Sequence, residues 1–181
     1  MNHQDHVNLL RGAFSDTDRQ PGAVWADLGS GTGAFTLALA DLLGPGGTIY
    51  SVDKDASALR AQAQSMQRLF PQVSVHYRAA DFTGPLDLPL LDGIVMANAL
   101  HFLPERKKDG MVRAMRELLR PEGRLVLVEY NTDHGNLWVP HPLSYPTWAE
   151  LARRGGFSRN RRLASVPSRF LGEIYSAESR V

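Results

Sequence analysis

Five short apolar, β-branched runs alternate with helix-forming stretches, and no other feature limits the fold of this chain as much. The runs are Ala23–Leu28, Thr48–Asp53, Val73–Ala80, Gly93–Leu100 and Arg124–Tyr130. Each has the length of a strand and turn residues beside it. Between them, Phe35–Leu43 reads as a helix halted by Gly44-Pro45-Gly46-Gly47, and Asp55–Phe70 as one halted before Pro71. A third, Pro104–Arg120, opens on a proline suited to a first turn and stops before Pro121. Within it Met111, Met115, Leu118 and Leu119 share a face at helical spacing.

Such alternation requires parallel strands joined by crossover helices. The strands are nearly continuous in apolar character, as strands covered on both faces must be. After Tyr130 the pattern changes. Asn131–Pro146 is polar and rich in proline, Thr147–Gly156 is a short helix, and Arg161–Pro167 and Gly172–Ser179 are strand-like with only Ser168–Leu171 between them. That short link implies an antiparallel pair. The expectation is an α/β fold: a doubly wound, mostly parallel seven-stranded sheet, its last strand antiparallel, with helices on both faces. It forms one domain over residues 1–181, with an N-terminal helical segment over 1–20 and a loop over the site at 131–146.

Composition narrows the function classes. With 181 residues there is enough chain for a real core. The net charge of +1 provides no global attraction to nucleic acid or to an anionic membrane. The chain has no cysteine, which excludes disulfides, thiolate metal sites and a cysteine nucleophile. The start, Met1–Leu10, lacks the basic and apolar regions of a signal peptide, and no apolar run approaches the ~20 residues of a membrane span. A cytoplasmic location is expected; the oligomeric state is left open.

The candidate site begins at Ala26–Phe35, "ADLGSGTGAF". Gly29, Gly31 and Gly33 stand where the first strand hands over to a helix, beyond the carboxyl end of the strand, where open α/β sheets bind ligands. A glycine loop there lets a ligand lie against bare backbone amides. Gly29 to Ala34 satisfies the dinucleotide pattern G-x-G-x-x-A, and Asp53 follows at about the 20-residue spacing of a ribose-binding acid. A nicotinamide-dependent oxidoreductase is therefore one reading. Asp27 at the head of the loop opposes it, because a carboxylate there repels a pyrophosphate and suits a ligand with a positive amino group.

The ordered series of motifs resembles the class I methyltransferases that use S-adenosylmethionine. Among them the small methyltransferases of the ubiquinone/menaquinone-biosynthesis type look most similar. Asp27-Leu28-Gly29-Ser30-Gly31-Thr32-Gly33 resembles the family's acid-x-G-x-G-x-G motif. This implies that the loop backbone, with Asp27 behind it, holds the aminocarboxypropyl arm. Asp53, with Lys54 beside it, matches the acid that binds both ribose hydroxyls, and Asp81-Phe82 matches the pair that meets adenine. Leu91–Phe102 resembles the fourth-strand motif, which puts Asn98 at the cofactor, and Leu118–Tyr130 resembles the helix–turn–strand motif after it. The resemblance implies a methyl transfer from S-adenosylmethionine to a small-molecule acceptor. A non-catalytic S-adenosylmethionine-binding protein is the further alternative.

The residues agree with that implication on their own chemistry. One carboxylate can accept two hydrogen bonds from a diol. Asp53 and Asp81 both follow apolar strand runs, although Asp53, Asp55 and Ser57 also suit helix capping. Asn98–Phe102 should border the reacting methyl, which makes His101 the candidate base and also a pocket residue. An Asn-Pro-Pro-Tyr motif, which in the family marks many enzymes acting on amino groups of nucleobases and glutamine, is absent. The loop after the fifth strand carries Asp133, His134, Asn136, Trp138, His141 and Tyr145. Their spacing is not that of a compact metal site, so no metal is expected. His134, Trp138 and Tyr145 are instead candidates for the acceptor pocket. Ala152–Arg162 holds five arginines, as a solvated face or an anion-binding patch.

Overall fold

The computed structural model describes residues 1–14 and 22–181. Helix α1 (His3–Arg11) is capped by Asn2, whose side chain accepts from the Asp5 amide while the Asp5 carboxylate accepts from the Asn2 amide. That reciprocal box satisfies two otherwise free amides of the first turn. Of the helical segment expected over 1–20, α1 accounts for His3–Arg11 and is capped at Gly12; residues 15–20 lie outside the described residues.

Strands β1 (Val24–Leu28), β2 (Thr48–Asp53), β3 (Ser74–Ala79), β4 (Leu91–Ala97) and β5 (Leu119–Tyr130) pair in parallel. Strands β6 (Arg159–Ser168) and β7 (Gly172–Arg180) complete one sheet in the order β3–β2–β1–β4–β5–β7–β6. β7 runs antiparallel to both of its neighbours. This is the seven-stranded, doubly wound α/β sheet that the alternation implied.

Helices α2 (Ala34–Leu43), α3 (Ala56–Leu69), α4 (Glu105–Glu117) and α5 (Tyr145–Arg154) cover it. Successive strand residues point to opposite faces. Leu125 and Leu127 of β5 therefore join Met111, Met115 and Trp148 from α4 and α5 in one core. Val126 and Val128 join Leu10, Phe35 and Leu39 from α1 and α2 in the other. Burial on both faces is why these strands lack a polar alternation.

Several boundaries differ from the expected ones, and those nearest the site do so for local reasons. α4 stops at Glu117 rather than Arg120, because the ring of Pro121 clashes with a helical carbonyl four residues back. β5 accordingly starts at Leu119, which pairs with Leu91. β4 ends at Ala97, not Leu100, because Asn98 turns left-handed (φ 51°) and a single 3-10 turn follows over Leu100–Phe102. α5 begins at Tyr145, where the Ser144 side chain accepts from the Thr147 amide. Among the described residues no helix is long and apolar enough to cross a membrane.

Candidate functional site

β1 lies between β2 and β4: the chain steps outward from β1 to β2 and β3, then returns past β1 to β4 and β5. Such a switch point opens a crevice beyond the strand tips. The glycine loop lies there. Gly29, Gly31 and Gly33 all take left-handed φ values, 77°, 53° and 91°. At Gly29 a Cβ would also come 2.7 Å from the Cβ of Ala99, so both conformation and contact demand glycine.

The loop amides are engaged within the protein, not bare as expected. Those of Gly29 and Ser30 donate to the Val52 carbonyl at 2.8 and 3.1 Å, and that of Gly31 to Asp53 Oδ2 at 2.7 Å. The Gly33 amide donates to the Ser30 carbonyl at 2.9 Å. Buried amides need partners, and the tip of β2 supplies them. The loop is thus tied to β2 as a rigid wall. Beneath it Ser51 Oγ lies 2.7 Å from Ser30 Oγ and donates to Gln62 Oε1 at 2.9 Å.

Asp27 sits behind this wall, 1% exposed, and accepts from Thr36 Oγ1 at 2.6 Å. Burial pushes its carboxyl up to about 7; the hydroxyl of Thr36 opposes the shift, and the charge of Asp53 adds to it. A cation brought against the loop would pull it back down.

In front of the wall is a cleft of about 400 Å³, within the range of small-molecule sites. Gly29, Asp53, Lys54, Asp81, Phe82 and Asn98 all line it, together with Phe102, Leu103 and Lys107. Asp53 accepts from the amides of Gly31 and Asp55 at 2.7 and 2.8 Å. The cap of α3 is Asp55, which accepts from the amides of Ser57 and Ala58, so Asp53 is not needed for capping. Asp81 accepts from the Thr83 amide at 2.9 Å, and that bond holds its carboxyl below the usual range. Asn98 has its Oδ1 buried without a hydrogen-bond partner. Asp27, Ser30, Gly31 and Gly33 do not line it.

His101 is placed differently from the expectation. It is 3% exposed, and its Nδ1 lies 2.8 and 3.0 Å from the two carboxylate oxygens of Glu129. The same carboxylate accepts from the amides of His101 and Tyr130 at 3.2 and 2.9 Å. The ring is packed between Phe102 and Tyr130, and His101 is not among the residues lining the cleft. Glu129 was not singled out from the sequence, although a carboxylate inside "LVLVEY" is a signal: a charge in an apolar strand needs a buried partner.

The loop after β5 also lies elsewhere. His134 and Trp138 are exposed, Trp138 at 74%, and neither lines the cleft. The ring of Tyr145 packs on Tyr175 in the α4–α5 core. The cause is anchoring. Lys108 Nζ donates to the His141 carbonyl at 2.5 Å, the His141 amide donates to the His101 carbonyl, and Asp133 accepts from the Ser144 amide and hydroxyl. These bonds hold the loop against α4 and α5. Among the described residues no three histidine, aspartate or glutamate side chains come together as metal ligands.

Residues 26–125 match the family model described as "Methyltransferase domain". The ubiquinone/menaquinone biosynthesis C-methyltransferase UbiE of Pasteurella multocida is 30% identical over 106 residues, covering 58% of this chain and 39% of that protein. The carboxy-S-adenosyl-L-methionine synthase of Shewanella frigidimarina is 27% identical over 124 residues, covering 68% of this chain and 50% of that protein. This chain spans half or less of the length of these relatives. Among solved structures, magnesium protoporphyrin IX methyltransferase from Synechocystis PCC 6803, with bound SAM, is similar in fold, with a TM-score of 0.74. That similarity covers 98% of this chain and 78% of that one at 17% identity.

Proposed function

The chain belongs to the methyltransferase domain family, and from that premise we propose that it transfers a methyl group from S-adenosylmethionine to a small-molecule acceptor. One observation carries the reading: Gly29 of the glycine loop, Asp53 and Asp81 follow three different strands and line one cleft. One continuous sheet supports treating residues 1–181 as a single such domain, and the cysteine-free composition supports a cytoplasmic setting.

The donor set fits this cofactor. The Asp53 carboxylate can accept from both hydroxyls of a ribose, and Asp81 from an exocyclic amine, with the ring of Phe82 beside it to pack on a base. Asp27 behind the loop suits the ammonium of the amino-acid arm. A nicotinamide dinucleotide is less well served, because the amides of Gly29, Ser30, Gly31 and Gly33 are already engaged and are not turned toward a pyrophosphate.

When bound, S-adenosylmethionine supplies a methyl on a positively charged sulfur, which keeps the carbon–sulfur electron pair as the acceptor's lone pair takes the carbon. The chain's share is then positioning, which is worth about 7–11 kcal/mol of barrier when the reacting atoms are held in line. In this reading His101, held by Glu129 with its ring against Phe102 and Tyr130, has a structural role, and the acceptor's proton passes to solvent. Isothermal titration with S-adenosylmethionine and S-adenosylhomocysteine tests the reading. One-site binding of both is expected; no heat for either, with folded protein, overturns it.

A further inference from the structure

A second cavity, about 490 Å³, adjoins the cofactor cleft, and Asn98 lines both. It lies between the tip of β5 and the β6–β7 turn. Tyr130, Pro167, Phe170 and Ile174 give it an apolar, partly aromatic surface. Phe170 is 70% exposed at the turn. Arg169 also lines the cavity and has no ion-pair or hydrogen-bond partner among the described residues. No carboxylate lines it among those residues. The cofactor cleft differs, with Asp53 and Asp81 in its wall.

The junction carries a further mark. Asn98 is held left-handed, and its Oδ1 is buried without a partner. Asparagine tolerates that conformation better than most side chains, so the unpaired buried acceptor is the feature that calls for a partner. A ligand O–H or N–H at the junction would satisfy the oxygen.

Building on the methyltransferase reading, we infer that this second cavity takes the methyl acceptor, a small aromatic molecule bearing an anionic group. Its ring lies against Tyr130 and Phe170, its anion meets Arg169, and its nucleophilic O–H or N–H donates to Asn98 Oδ1. That arrangement turns the nucleophile toward the cofactor cleft. The pocket expected from the sequence at His134, Trp138 and Tyr145 is replaced by one built from the hairpin turn that the sequence presented only as a connector.

The test uses 8-anilino-1-naphthalenesulfonate as an aromatic anion and N-phenyl-1-naphthylamine as its neutral counterpart. Fluorescence titrations of the full chain are run with and without saturating S-adenosylhomocysteine. Arg169 and Phe170 are exposed, so their variants should fold, which an unchanged melting temperature verifies. Arg169→Ala should weaken the sulfonate about tenfold and leave the neutral probe within about twofold, whereas Phe170→Ala should weaken both about fivefold. Sulfonate binding unchanged in both variants overturns the inference, as does competition between the sulfonate and S-adenosylhomocysteine. If S-adenosylhomocysteine fails to bind the wild type, the cofactor reading fails. The variant series without it still reports on the second cavity alone.

Discussion

Replacing Asp27 with asparagine should remove a loss of stability that the wild type suffers as pH rises. Burial lifts the Asp27 carboxyl from 3.8 to about 7 in the folded chain. Below about pH 4 the group is protonated in both folded and unfolded states, and ionisation disfavours neither. Between about pH 4 and 7 the unfolded chain releases this proton and the folded chain retains it, so unfolding becomes steadily easier. Above about pH 7 both states are ionised and the loss is complete. A shift of about three pH units, at ~1.4 kcal/mol each, amounts to roughly 4 kcal/mol. Asparagine retains an oxygen for the Thr36 hydroxyl but carries no proton that titrates here. Urea unfolding at pH 4 and pH 8, followed by circular dichroism, measures the outcome. The stability of the variant minus that of the wild type should climb by about 4 kcal/mol between the two. A difference constant within about 0.5 kcal/mol would refute the reasoning, since Asp27 would then ionise alike in both states. The same group predicts that S-adenosylhomocysteine releases part of a proton when it binds near pH 6, as its ammonium draws the carboxyl down. Buffer-dependent titration heats should show that release in the wild type and not in Asp27→Asn.

Asp53→Ala should weaken S-adenosylhomocysteine at least about tenfold by calorimetry, because two charge-assisted hydrogen bonds to the ribose are lost. His101→Ala should leave that affinity within about threefold yet lower stability by about 3–5 kcal/mol in chemical denaturation, because the carboxylate of Glu129 stays buried without its imidazole; equal effects of the two on cofactor affinity would contradict the site assignment. Gly29→Ala should lower stability by about 1–3 kcal/mol, read as a fall in melting temperature, since its Cβ meets that of Ala99 at 2.7 Å on a left-handed backbone. Trp138→Ala should alter stability by less than about 0.5 kcal/mol and leave S-adenosylhomocysteine affinity unchanged, because the side chain is exposed and apart from the cleft.

What the sequence alone determined is what local chemistry encodes. Strand length, helical spacing and the stops at Gly44, Pro71 and Pro121 are properties of neighbouring residues, and they sufficed for a doubly wound sheet. The left-handed turns at Gly29, Gly31 and Gly33 and the acids at Asp53 and Asp81 were legible for the same reason: each occupies the end of its own strand run. The tertiary structure alone decided what depends on pairing between distant segments. Only the packing of β7 against β5 brings the Phe170 turn beside Asn98. Only the buried bond to Glu129 withdraws His101 from the cleft, and only Lys108 and His101 hold the loop around His141 against α4. No spacing in the chain records these contacts, because side chains far apart in sequence meet when burial leaves each one a single partner within reach.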